Sequence, residues 1–492
     1  MTLSHRILGI ISLALSTLYI IWLYFHIIGV EGYILLTVDV SFGSLLILFL
    51  INHWAQEHQF HCLGAPEGKL DVFITVAREP IEIVMGTIRA ACAIDYESKV
   101  VTVLDDGRHP DVERIAKVHG AHYSTREDLL HNKAGNLNHG LAHTNGEFIL
   151  TLDADQVVHS TIARDLLGYF REDANVAIVT TRQSFDVPVE DFNHDHLFYN
   201  HMQAGKNADN AAISCGSGVF YRRSALEAIG RFQTWNLVED LYTSYILHSH
   251  GYKSIYINRA YTIGTAPLNL KTIYKQRGTW ALDTLRLFFK RSPLSFPGLT
   301  IKQRLHYFEM GWGYIIAALI LPVQFLLPII NLLFNFAPVS DPVIYFLLRI
   351  SSLLAILFFY YSLSGNTFIG SCYFVGLFPI YLRAFVLSFF PGKPAYHVTN
   401  KVTKCGEVEI AYILPQLAFS SLAIAVVEWK ILVDHGISEV VLLNSVWIFL
   451  MLFWLTPIIK KDWVLRAPYL ALYRGFFLNR VDLFCPKQKE IG

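Results

Sequence analysis

Residues Ile149–Val158, "ILTLDADQVV", decide how this chain is read. Ile149, Leu150, Thr151 and Leu152 lead straight into Asp153 and Asp155, and apolar character resumes at Val157 and Val158. A short apolar run bounded by turn residues reads as a buried strand, and residues i and i+2 of an extended segment point the same way. Two carboxylates at the end of such a strand can converge on one object, and holding them together requires a cation. Hard divalent ions such as Mg²⁺ are bound by one or two carboxylates plus substrate phosphates. The competing reading is a turn or a helix cap, both of which Asp favours.

The neighbourhood of that stretch alternates. Between residues 71 and 260, β-rich runs such as "DVFITVA", "KVVTVLDD", "EFILTLDAD" and "NVAIVTTR" are separated by helical stretches such as "IEIVMGTIRAACAI" and "DVERIAKVHG". This order predicts a mostly parallel sheet that binds its ligand at the carboxyl ends of its strands. Those ends carry Arg78 and Glu79, then Asp105 and Asp106 before Gly107, then Asp153 and Asp155. "HNKAGNLNHGL" sets Lys133 at a predicted helix start, where backbone donors and an ammonium can meet phosphate oxygens. "NLVEDLYTSYILHSHGY" sets Glu239 and Asp240 ahead of a helix that stops at Gly251, as caps or as a general base. "YKQRGTWALDTLRLFF" reads as an amphipathic helix in which Gln276, Arg277 and Trp280 serve either a sugar site or the core.

Beyond this region the composition changes. With 53% hydrophobic and only 16% charged residues among 492, the chain is too apolar for an ordinary soluble protein. Forty basic residues balance forty acidic ones, which argues against a nucleic-acid partner. Ile7–Val30 has no charged residue and Gly32–Ile51 has only Asp39; Gly311–Ser340, Ile350–Leu382, Ile410–Val427 and Val440–Ile459 are uncharged. Spans of about 20 apolar residues cross a bilayer. The expected organisation is two membrane helices in residues 1–55, an α/β domain in 56–302, a second membrane region in 303–460 and a tail in 461–492. Arg6, Lys460, Lys461 and Arg466 flank the spans, which places both termini and the α/β domain in the cytoplasm by the positive-inside tendency. Six spans satisfy this placement if Phe368–Phe390 lies along the interface, whereas a seventh span would put the last basic flank outside. The six cysteines show no CxxC or metal-ligand spacing and are expected as free thiols.

Taken together, "VLDDG", "KAGNLN", "LDAD", "VED", "QRGTW" and the later "YHVTNK" make this chain resemble the membrane-embedded family 2 glycosyltransferases, and among them the cellulose synthase group. The resemblance covers roughly residues 70–404, and "YHVTNK" is similar to that group's FxVTxK gating loop, here within 391–405. It implies a GT-A-like nucleotide-sugar domain inserted between transmembrane helices. By this resemblance Glu79, Asp105 and Asp106 hold the uridine and Lys133 the diphosphate of a UDP-sugar donor. Asp153 and Asp155 hold Mg²⁺ or Mn²⁺, and Asp240, beside Glu239, is the catalytic base. Trp280 and Gln276 meet the acceptor sugar, Cys215 of "SCGSG" lies near it, and Thr399 and Lys401 close over the nucleotide. The implied activity is processive inverting transfer from UDP-glucose to a growing β-glucan, with β-1,3, β-1,4 or mixed linkage, extruded through a channel in the plasma (inner) membrane.

Two features depart from the family pattern. The arginine of QxxRW is Thr279, so a donor contact is missing or moved, with Arg277 as its replacement. Only residues 461–492 follow the last apolar run, so no appended cyclic-di-GMP-binding domain is expected. The alternatives are a hyaluronan- or chitin-type synthase using UDP-N-acetylhexosamine, a non-processive membrane transferase, and a transporter or scaffold with an inactive nucleotide domain.

Overall fold

A computed structural model describes residues 1–55, 60–61, 63–64, 66–187, 191–267, 269–363, 367–391 and 410–464. The soluble part is built on an eight-stranded sheet. Its strands are β1 (Leu70–Val76), β2 (Lys99–Asp105), β3 (His122–Ser124), β4 (Phe148–Asp153), β5 (Gln156–Val158), β6 (Val176–Phe185), β7 (Val219–Arg222) and β8 (Lys253–Gly264). They lie in the order β3-β2-β1-β4-β7-β6-β8-β5. The first four are mutually parallel, β7 runs antiparallel between β4 and β6, and β5 is antiparallel to β8. The expected mostly parallel α/β sheet is present, with two short reversed strands, β5 at the end of the opening stretch and β7, that the sequence does not mark as strands of their own.

The strand sequences explain why both sheet faces are covered. Val72, Ile74, Leu150 and Leu152 bury against Ile83, Val84 and Ile88 of the helix Ile81–Cys92 and Val112 and Ala116 of the helix Pro110–Val118. The intervening Phe73 and Ile149 point the other way, onto Leu137 and Leu141 of the helix Asn132–His143 and Leu247 of the helix Glu239–Ser249. With side chains alternating across the sheet, a strand covered on both faces is apolar at nearly every position. In β1 Asp71 and Thr75 break the run, and the fully buried Asp71 carboxylate accepts from Gly146 N and pairs with Arg223 at 2.8 Å.

Among the described residues six helices are long and apolar enough to cross a membrane, Leu3–His26, Gly29–His53, Ile301–Phe334, Pro342–Leu363, Leu414–Val433 and Glu439–Ile459, and a bent pair of shorter helices would make a seventh if it crosses as one span. Two precede the sheet domain and four follow it, as the six-span reading expects. The third begins at Ile301, ahead of its apolar run, because Thr300 and Gln303 form a reciprocal capping box there. Gly370–Gly376 and Phe378–Ser388 are bent by 54° about Leu377, and the second of them packs on the helix Leu270–Lys290, with Ile380 against Gly278 and Phe385 against Phe289. That amphipathic helix thus joins the sheet domain to the membrane bundle. Its buried Leu282 and Leu285 share a cluster with Tyr381 and with Ala317 of the third span.

Asp39 and Arg349, the charges in the second and fourth spans, are each other's partners. Their oxygen and nitrogen are 2.7 Å apart, Tyr19 donates to Asp39 at 2.6 Å, and Arg349 also reaches Gln324 and Tyr345. The guanidinium lies over the Trp447 ring at 4.7 Å. A paired, hydrogen-bonded charge in a bilayer needs no transport role to explain it. Removing one partner of a buried ion pair costs about 3–5 kcal/mol, while replacing both with apolar residues is often neutral. Arg349→Met should therefore lower the thermal midpoint in detergent, and Asp39→Leu combined with Arg349→Met should recover most of the loss.

Candidate active site

The carboxyl ends of β1, β2 and β4 are brought level by their register. Val76 lies opposite Asp105, and Thr75 lies opposite both Leu104 and Asp153. Three polar turns therefore open side by side at one sheet edge. At the first, Glu79 folds back and accepts from the backbone N–H groups of Ala77 and Arg78 at 2.7 and 3.0 Å. At the second, Asp105 is fully buried and accepts from Gly107 N, His109 N and the Tyr123 hydroxyl. Gly107 must be glycine here, since a Cβ would lie 1.8 Å from the Ala77 carbonyl oxygen. Asp105 thus shapes the turn, and its side chain is directed inward.

Asp106 forms a two-bond ion pair with Arg126, with both N···O distances 2.7 Å. Arg126 also donates to the carbonyls of Leu130 and Asn132, at the start of the helix that carries Lys133. It was missed in the sequence because "STREDLL" resembles an ordinary charged loop. Its only signal is a position just past β3, itself recognisable only once β3 is placed beside β2.

At the third turn the extended backbone ends with Asp153. Asp155 consequently does not continue the strand; its buried carboxylate accepts from Thr265 N at 3.1 Å and from the Thr265 hydroxyl. Asp153 stays partly open, with 37% of its side chain exposed, and lies 2.6 Å from Lys133 Nζ. The same ammonium is 3.2 Å from Glu239 Oε1 and donates to the Gly216 carbonyl at 2.9 Å. Gly216 has φ +79°, and a Cβ on it would come within 2.7 Å of Asp240 Oδ2 and 3.0 Å of Lys133 Nζ. "SCGSG" is therefore the close-approach loop that lets Lys133, Asp153, Glu239 and Asp240 converge.

Electrostatics at this centre are strongly coupled. Burial disfavours the Lys133 ammonium, yet Asp153, Glu239 and Asp240 outweigh it and raise its proton affinity well above the ordinary value. Burial, then the Glu239 charge, pushes Asp240 up to about 8, against the opposing pull of Lys133 and the Leu241 N–H. That N–H bonds Asp240 Oδ1 at 2.6 Å, within the first turn of the helix Glu239–Ser249, where the dipole favours negative charge. With the ammonium counted once against the carboxylates of Asp153, Glu239 and Asp240, the centre carries an excess of negative charge that oxygen ligands would offer to a hard divalent ion.

The second half of the site comes from the helix Leu270–Lys290. Its Asp283 accepts from Val238 N at 2.5 Å, and its carbonyl accepts from Asn236, fixing the segment just before Glu239 and Asp240. Arg277 is paired with Asp195 at 2.7 Å and lies over Trp280 at 4.8 Å and Phe192 at 5.6 Å. Its charge is thus already matched, and among the described residues Thr279 bonds back to the Lys275 carbonyl within the helix. Gln276 and Trp280 are half-buried on the same helix. Burial, then the nearby Asp240 charge, raises the Cys215 thiol; Cys92, Cys215 and Cys372 are free thiols. Thr399, Lys401 and the rest of the 392–405 segment lie outside the described residues.

Residues 66–282 match the family model "Glycosyltransferase like family 2", and residues 229–365 match "Cellulose synthase". The chain is 33% identical over 261 residues to the cellulose synthase 1 catalytic subunit [UDP-forming] of Komagataeibacter xylinus, covering 50% of this chain and 35% of that protein. It is 32% identical over 327 residues to the cellulose synthase catalytic subunit [UDP-forming] of Pseudomonas fluorescens, covering 61% and 44%. The chain thus matches less than half the length of either relative. Among solved structures, a mannosyltransferase from Pyrobaculum calidifontis, in complex with GDP-Man and Mn²⁺, superposes with a TM-score of 0.55 at 17% identity, covering 73% of this chain and 99% of that one, a likeness of fold. A GT-A-like sheet domain set between membrane helices, with its carboxylates gathered on Lys133, and these two overlapping family matches identify the chain as a family 2 glycosyltransferase related to cellulose synthase catalytic subunits.

Proposed function

We propose that this chain is a processive inverting hexosyltransferase that takes glucose from UDP-glucose, extends a β-glucan and passes the product between its own membrane helices, with its sheet domain in the cytoplasm. The observation that carries the reading is the convergence of Lys133, Asp153, Glu239 and Asp240 at the edge where the β1, β2 and β4 turns open. The donor sugar and the processivity rest on the relatives, whose names specify UDP-forming cellulose synthesis.

Roles divide by environment. The acceptor hydroxyl oxygen attacks the anomeric carbon from the face opposite the diphosphate, its proton passes to Asp240, and the bond from that carbon to the diphosphate oxygen breaks. Asp240 suits the base because its raised proton affinity stops well short of that of an alkoxide and lies near working pH. Glu239 orients Lys133, whose ammonium faces the charge that builds on the departing diphosphate. Asp153, with Asp155 behind it, would hold Mg²⁺ or Mn²⁺, which supplies charge neutralisation for the leaving group when bound. Glu79, Asp106 and the Asp105 turn would form the uridine side. Trp280, stacked on an Arg277 already matched by Asp195, would present a fixed aromatic face to the acceptor.

The direct test is radiolabel incorporation by purified, reconstituted protein from UDP-glucose, UDP-N-acetylglucosamine and UDP-glucuronate, singly and in pairs, followed by linkage-specific glucanases. Polymer from UDP-glucose alone supports the proposal, and polymer only from an amino-sugar donor replaces the sugar while retaining the base. Asp240→Asn should cut transfer by about 10²–10⁴-fold, the usual share of a general base, while UDP binding measured by calorimetry stays near wild type.

The pH dependence follows from the direction of the Asp240 shift. A base held above its ordinary value is protonated at acidic and neutral pH and becomes competent as pH rises. The acid limb of kcat/KM should therefore sit well above the carboxylate range, and a limb near pH 4 would remove Asp240 from the role. Chelation with EDTA should stop transfer, and Mg²⁺ or Mn²⁺ should restore it. Asp153→Ala should weaken metal-dependent UDP binding, and unchanged binding would overturn the metal assignment.

A further inference from the structure

We propose that His53, His306 and Glu309 form a structural zinc site that ties the second and third membrane helices to the sheet domain. The three residues are almost fully buried where the second span ends and the helix beginning at Ile301 passes it. One ring nitrogen from each histidine and a carboxylate oxygen of Glu309 lie within 4.8 Å of one another. His53 Nε2 is 3.0 and 3.2 Å from the two Glu309 oxygens, and Asn52 Nδ2 donates to one of them at 2.7 Å. Two imidazoles and a carboxylate are a donor set that suits zinc, and contacts near 3 Å are the spacing between neighbouring ligands of a four-coordinate ion.

Two independent features favour a metal over a lone proton on His53. The first is the state of His306: its Nε2 lies 2.9 Å from Asp209 Oδ2, in the sheet domain. A carboxylate on one imidazole nitrogen fixes the proton there and leaves the other as a basic lone pair, the arrangement that supports metal-bound histidines. The second is the set of unused atoms. His306 Nδ1, His53 Nδ1 and Asn52 Oδ1 are buried and have no hydrogen-bond partner among the described residues. A proton on His53 would satisfy the Glu309 contact and leave His306 Nδ1, His53 Nδ1 and Asn52 Oδ1 all unmatched, at a cost typical of buried unbonded polar groups. A metal held by His53 Nε2, Glu309 and His306 would take up the His306 lone pair, while His53 Nδ1 and Asn52 Oδ1 stay without a partner among the described residues in either case. The neighbouring Lys206, fully buried, donates to the His306 carbonyl at 3.2 Å. Gly205 leaves room for the His53 ring, since a Cβ there would lie 2.2 Å from His53 Nδ1.

This site is built from residues outside the Lys133 centre, so it can be tested separately from transfer. Full-length protein purified in detergent without added zinc, then dialysed against Mg²⁺ and a weak chelator, should retain about one zinc per chain. Its zinc-edge absorption spectrum should show only nitrogen and oxygen neighbours, with imidazole scattering at about 2.0 Å. Asp153→Ala should keep that zinc, while His306→Asn should lose it and lower the thermal midpoint. Zinc-free wild-type protein that takes up none on titration would overturn the proposal and assign the balancing charge to a proton on His53. A sulfur neighbour in the spectrum, or zinc retained by His306→Asn, would overturn it as well, and the wild-type measurements decide even if the variant does not fold.

Discussion

The Lys133 ammonium is the charge on which the soluble half depends. It sits at the meeting point of a strand end, a helix start and a glycine loop, and each is shaped to reach it: Asp153 as β4 ends, Glu239 and Asp240 as their helix begins, and Gly216 where no Cβ fits. Gathering those carboxylates without a counter-charge would be strongly unfavourable in a buried setting. The lysine makes the gathering possible and at the same time holds back the rise in Asp240 proton affinity that burial and Glu239 cause.

The membrane half is organised around a different constraint, the need to match every charge that leaves water. Asp39 meets Arg349, Glu309 meets His53 and Asn52, and Lys430 meets Asn335 and Asp434. The first two of these contacts join separate helices, so they also fix the bundle. The helix Leu270–Lys290 carries that fixity to the site, because Asp283 holds the backbone ahead of Asp240 while its apolar face packs on the bent helices around Leu377. The membrane bundle and the backbone ahead of Asp240 are thereby joined through one helix.

Much of this was legible in the chain itself. Apolar runs ending in acidic residues marked β1, β2 and β4, because a strand covered on both faces must be apolar throughout and can turn polar only where it leaves the sheet. The six spans were legible for the same reason, since hydrocarbon imposes length and composition directly. The reversed strands β5 and β7 were not, being three and four residues long with no period to read. Arg126 and Asp283 were also hidden, since each acts on a partner far away in sequence.

What the sequence determined by itself was therefore the set of local states: which segments are strands or helices, which cross a membrane, and which carboxylates stand at strand ends. Tertiary structure decided how those groups are used. It turned Asp155 inward onto Thr265, spent Arg277 on Asp195, paired Asp39 with Arg349 and placed Lys133 between β4 and the Asp240 helix. The physical reason is range. Backbone propensity and burial act over a few residues and leave a pattern in the chain, whereas a charge is satisfied by whichever partner the fold brings within about 4 Å, and no local pattern records that choice.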